Sequence, residues 1–178
     1  MFGTILKYGV VAGLVVGGLM WATFLGFDGM PPLQYGMAIG YATMLVALSA
    51  VFVGIRRHRD TARGGVVGFW PALGIGLGIS VVAGVCYVVA WEALQAVTHM
   101  DFAGTYARAI IAGEQARDAS PAALAKLHAD MEAFKLQYAD PLFRLPMTFA
   151  EIFPVGVLVS LVSAALLRNP RFLPARRM

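Results

Sequence analysis

Two acidic side chains, Glu92 and Glu151, lie within or at the edges of the long apolar runs of this 178-residue chain. Two carboxylates at similar depth in a low-dielectric layer can share a proton, because close like charges disfavour ionising both. A proton-coupled or cation site is therefore one chemistry they could support. Arg144 and His99 stand near the same boundary in sequence, and either could neutralise one carboxylate instead. The plainer reading is preferred: both carboxylates reach interfacial water, and Glu151 is also favoured by the positive end of the helix it helps to open.

Other chemistries find little footing. The single cysteine, Cys86, sits inside an apolar run and reads as a small buried hydrophobe. His58, His99 and His128 each lack a second ligand at metal-binding spacing, so no metal is expected. Gly76 and Gly78 make a G-x-G fragment, but within an apolar run rather than a phosphate-binding loop. Ser49, Ser80, Ser160 and Ser163 lack a nucleophile motif and read as helix-contact residues. No enzyme and no cofactor are expected.

The elements that position these residues follow from composition. The chain is 59% hydrophobic and 13% charged, with a mean hydropathy of +0.72. Soluble domains carry about 25% charged residues and about 45–50% apolar ones. A chain this short cannot hide such an excess in one aqueous core, so the solvent must be lipid. Four membrane spans are expected, over about 5–27, 33–55, 69–91 and 147–167, within a single membrane domain covering 1–178. Asp28-Gly29 and Pro31-Pro32 predict a tight turn after the first span. Trp70 and Trp91, about 31 Å apart along a helix, would place one indole at each interface.

Basic residues orient the spans. Lys7, Arg56, Arg57, Arg59, Arg63, Arg168, Arg171, Arg176 and Arg177 gather at one face, whereas the segment over 98–146 holds five basic and six acidic residues. The positive-inside rule then makes both termini cytoplasmic. The basic residues flank apolar runs without aromatic interleaving, so they indicate anionic lipid headgroups rather than nucleic acid.

Small residues recur at helix-packing spacing: Gly9, Gly13 and Gly17 on the first span, Gly36 and Gly40 on the second, and Gly74 and Gly78 on the third. Gly156, Ser160 and Ala164 repeat the pattern on the fourth. In lipid, close backbone approach through such residues is a main source of helix association. A four-helix bundle within one chain is the preferred reading, and a ridge facing a second copy, giving a homodimer, is the alternative.

Residues 99–146 predict an extracytoplasmic pair of amphipathic helices. Asp101 can cap the first, with Phe102, Tyr106 and Ile110 on one stripe. Ser120-Pro121 opens the second, whose Leu124, Leu127, Met131, Phe134 and Tyr138 form an apolar seam. The seam suits packing within the protein or against a second copy. Asp140-Pro141 should end that helix, leaving "LFRLP" to bring the chain to the interface. On this reading Asp140 and Arg144 merely mark a boundary.

The run "ADPLFRLPMTFAEIFPVGVLVSLVSAALLRNP", the opening "LKYG" and the central "VGIRRHRDTARGGVVGFWPALGIG" together resemble a bacterial membrane-protein family, domain-of-unknown-function family 4199. The resemblance extends over nearly the whole chain. It implies a four-span inner-membrane protein of Gram-negative bacteria with a helical insert before the last span, and it brings no activity or catalytic residues. The expectation is thus an all-α integral membrane bundle acting as an accessory or interaction protein, with membrane lipids, a homodimeric copy or another membrane protein as partner. A small carboxylate-based transporter or channel and a lipid-binding protein are the alternatives.

Overall fold

A computed structural model describes residues 1–27 and 29–174, and for Leu33 and Gln34 the backbone alone. The expectations placed on Asp28, Arg176 and Arg177 lie outside the described residues. Six helices follow one another: α1 (Phe2–Gly26), α2 (Leu33–Ala62), α3 (Phe69–Thr98), α4 (Phe102–Gln115), α5 (Pro121–Ala139) and α6 (Pro141–Leu167). Among the described residues there is no strand. Helices α1, α2, α3 and α6 are each long and apolar enough to cross a membrane, making this a multi-pass membrane protein. Their outward faces are themselves apolar, with Leu14, Met37, Val89 and Leu158 largely exposed. Such surface is stable against acyl chains and costly against water.

Small residues set how the helices meet. A Cβ placed on Gly9 would lie 2.5 Å from Val82 Cβ, one on Gly17 would lie 2.9 Å from Ala90 Cβ, and one on Gly13 would overlap Cys86. These pairs keep a constant register, so α1 and α3 run parallel and in close contact. Helices α3 and α6 run antiparallel through a reciprocal latch: Gly76 faces Ser160, and Gly156 faces Ser80. Both hydroxyls donate within their own helix, Ser80 to Gly76 O at 2.9 Å and Ser160 to Gly156 O at 2.6 Å. The two Oγ atoms lie 3.3 Å apart. Each polar group is thus satisfied while the backbones approach.

The 36/40 and 74/78 patterns behave differently. Gly78 accommodates Ile5 of α1, and Gly36 makes only ordinary contact with Pro31. A Cβ placed on Gly40 or Gly74 would meet no described residue within 4 Å, so among the described residues they build no helix seam.

Several boundaries move. Helix α3 continues past Trp91 to Thr98, and α2 continues through the basic segment to Ala62. The "LFRLP" segment is no connector: α6 begins at Pro141 and runs through Pro146 and Pro154. Asp140 closes α5 and opens α6, its carboxylate accepting from Leu142 N–H at 2.9 Å, with Pro141 pre-set at the first helical position. Each internal proline removes one backbone donor, a loss that packed membrane helices tolerate.

Arg59 departs most from expectation. Its side chain is fully buried rather than solvated. Nε donates to Asp60 at 2.7 Å, Nη1 to Phe172 O at 3.0 Å and Nη2 to Leu173 O at 2.5 Å. One of the supposed orientation charges therefore ties the segment after α6 to the end of α2, where Phe172 also packs edge-on against Phe52. Desolvation of this guanidinium is offset by carbonyl and carboxylate partners.

Candidate functional site

The four polar positions singled out from the sequence separate into three environments. Glu92 lies one residue beyond Trp91 on α3, and Arg144 lies one turn into α6. The guanidinium grips the carboxylate at both ends, Nε to Oε1 at 2.7 Å and Nη2 to Oε2 at 2.6 Å. Their side chains are only 17% and 31% exposed, so this pair is screened less than a surface one. Arg144 also donates from Nη1 to Tyr138 O at 3.1 Å and stands 5.7 Å over the Tyr138 ring. It joins α3, α5 and α6, a far larger role than marking a boundary.

His99 does not join them. It terminates α3 in a left-handed conformation (φ 51°), with its N–H donating to Gln95 O at 2.9 Å and its ring exposed.

Trp91 is likewise no interfacial belt residue. It is buried and donates from Nε1 to the Tyr138 hydroxyl at 2.8 Å. Its ring meets Phe24 of α1 at 5.4 Å and Phe102 of α4 at 4.9 Å, both edge-on. Phe102–Tyr138 and Tyr106–Phe134 pair α4 with α5, centroids 5.5 and 5.8 Å apart, in opposite chain directions. Burial pushes the Tyr138 phenol up to about 12, chiefly by desolvation, so it stays neutral at ordinary pH. The seam expected on α5 thus engages α4 and the top of the bundle through Phe134 and Tyr138, while Leu124, Leu127 and Met131 stay half-buried.

Beneath this aromatic junction a cleft of about 330 Å³ opens between α1, α2, α3, α4 and α6. Met20, Met44, Tyr87, Trp91 and Phe102 line it, and Gly40 forms part of the α2 wall. Among the described residues Glu151, from α6, is its single charged lining residue. The Tyr87 hydroxyl donates to Glu151 Oε2 at 3.2 Å, and Glu151 is otherwise an exposed residue. Glu92 and Glu151 therefore have different partners, Arg144 for the first and Tyr87 for the second. Among the described residues no group of three or more His, Cys, Asp or Glu side chains could hold a metal.

The profile described as "Protein of unknown function (DUF4199)" matches residues 7–169, which take in most of α1, all of α2, α3 and α6, and the cap between the last two. The chain belongs to the DUF4199 family. No curated protein and no solved structure matches it. The functional reading of this DUF4199 protein therefore rests on its own geometry.

Sequence reasoning missed Tyr87, Trp91 and Tyr138 as a connected set. Tyr87 and Trp91 are four residues apart, hence on one helix face, which was the available signal. That this face turns inward under a second pair of helices depends on tertiary packing. The spacing of Gly40 matches that of a packing residue, whereas it borders the cleft.

Proposed function

We propose that this DUF4199 protein is a non-catalytic binding protein of a bacterial inner membrane that holds a small amphiphilic molecule in the cleft beneath α4 and α5. The observation that carries this reading is the cleft itself. At about 330 Å³ it falls at the lower end of small-molecule sites, and its walls combine methionines and aromatic rings with one carboxylate. Methionine suits varied apolar shapes because its thioether is flexible and polarizable. Lys7, Arg56, Arg57, Arg63, Arg168 and Arg171 cluster at the opposite ends of the helices, which the positive-inside rule assigns to the cytoplasm. On that orientation both termini are cytoplasmic, and the cap and cleft belong to the extracytoplasmic side.

This develops the lipid-binding alternative and is compatible with an accessory role toward another membrane protein. Transport through a shared-proton carboxylate pair is disfavoured, since Arg144 already satisfies Glu92. Of the features that suggested a homodimer, the Gly9/Gly13/Gly17 ridge is occupied inside one chain and the α5 seam is engaged through Phe134 and Tyr138, whereas a Cβ on Gly40 or Gly74 would meet no described neighbour within 4 Å.

Native mass spectrometry of the protein released from lipid nanodiscs tests the binding role. Gly40→Leu fills the cleft from a position where an added Cβ meets nothing within 4 Å, so the bundle should fold unchanged. Wild-type protein should retain a small apolar or amphiphilic adduct that Gly40→Leu lacks. Identical adduct patterns would contradict the reading.

A further inference from the structure

The charge balance around the cleft goes further than its shape. Glu92 and Arg144 cancel one another in a two-point pair. Glu151 has no such cation. Its Oε2 accepts from the neutral Tyr87 hydroxyl, and among the described residues Oε1 has no hydrogen-bond partner. Among the described residues no lysine or arginine lines the cleft. Among the described residues the exposed carboxylate is thus uncompensated, at the wall of an apolar cleft that Tyr87, Trp91, Phe102 and Tyr106 also line.

We infer that the cleft selects a lipophilic organic cation, with Glu151 as its counter-ion and the surrounding rings contacting its charge and apolar groups. Two principles support this. A carboxylate in a low-dielectric pocket gains most from an opposite charge brought to it. Aromatic faces attract cations whose charge is poorly hydrated, more strongly when water is excluded. The same reasoning chooses between sources. A phospholipid ammonium brings its own phosphate, and the cleft lining offers that phosphate no cationic partner. A free cation without an attached anion fits the lining better. The inference rests on the binding role proposed above and names the class of ligand for that site.

The test uses the full chain in phosphatidylcholine nanodiscs and two probes of similar shape, tetraphenylphosphonium and the neutral triphenylphosphine oxide. Empty nanodiscs measure bulk partitioning, which is subtracted. Wild-type protein should bind the cation in preference to the oxide. Glu151→Gln keeps an acceptor for Tyr87 and should lower cation affinity on the order of tenfold, leaving the oxide unchanged. Gly40→Leu should lower binding of both probes. If Gly40→Leu lowers both but Glu151→Gln leaves the cation preference intact, the cleft still binds and the inferred ligand class is wrong. If Gly40→Leu alters neither, the binding role itself fails, and the cation inference falls with it.

Discussion

Tyr138 meets three demands at once: its ring packs against Phe102 and Phe134, its hydroxyl accepts from the buried Trp91 N–H, and its carbonyl accepts from Arg144. Tyr138→Phe keeps the packing and orphans the indole donor, so it should destabilise the fold by about 1–3 kcal/mol, measurable by thermal unfolding in detergent. The pH dependence has a definite sign. The folded-state value is raised from 10.0 to about 12, so the phenol's contribution is complete below pH 10 and is lost as pH rises through 12. Tyr138→Phe should remove that component of the alkaline transition, and an unchanged transition would contradict it. Arg144→Ala leaves the Glu92 carboxylate unpaired and cuts the link to α5, at a cost of about 1.5–3 kcal/mol. Hydrogen exchange should then accelerate in α4 and α5 while α1 and α3 stay protected. Uniform acceleration, or none, would refute the linking role.

At the scale of elements, glycine spacing carries much of the bundle but cannot say which way a face points. Gly13 and Gly156 press on Cys86 and Ser80, so alanine at either should cost about 1–3 kcal/mol through overpacking. Gly74, with the same sequence signature, faces open space, so Gly74→Ala should be neutral or stabilising by about 0.5–1 kcal/mol. Melting temperatures that rank these variants otherwise would contradict the assigned contacts. Caps were the most legible features: Asp101 and Ser120 both accept from backbone N–H groups at the helix starts they mark in the sequence. Such signals are local, which is why one sequence suffices to read them. Arg59 was not legible. Within "RRHRD" the arginines are equivalent by charge, and only the return of Phe172 and Leu173 after α6 turns one of them inward. The start of α6 was hidden for a related reason, since Pro141 and Pro146 resemble chain breakers until Asp140 is seen to cap the helix they enter.

The whole molecule is a bundle of four long helices whose contacts are closest where small residues meet, with a two-helix cap over an apolar cleft. Its proposed orientation is open to direct measurement. In a Cys86→Ala background, cysteine at the exposed Ala129 of α5 should react with an impermeant maleimide added to intact spheroplasts. Cysteine at the exposed Thr61 near the end of α2 should react only after permeabilisation, and the reverse pattern would invert the topology. The claim that the cleft binds an amphiphile is tested most directly through Trp91, which lines it. With Trp21 and Trp70 replaced by phenylalanine, Trp91 becomes the only indole. A bromine-substituted tetraphenylphosphonium should quench its fluorescence saturably, and Gly40→Leu should leave only the non-saturable component from dye in the bilayer. Saturable quenching of equal depth and midpoint in both proteins, or none in either, would contradict binding in the cleft.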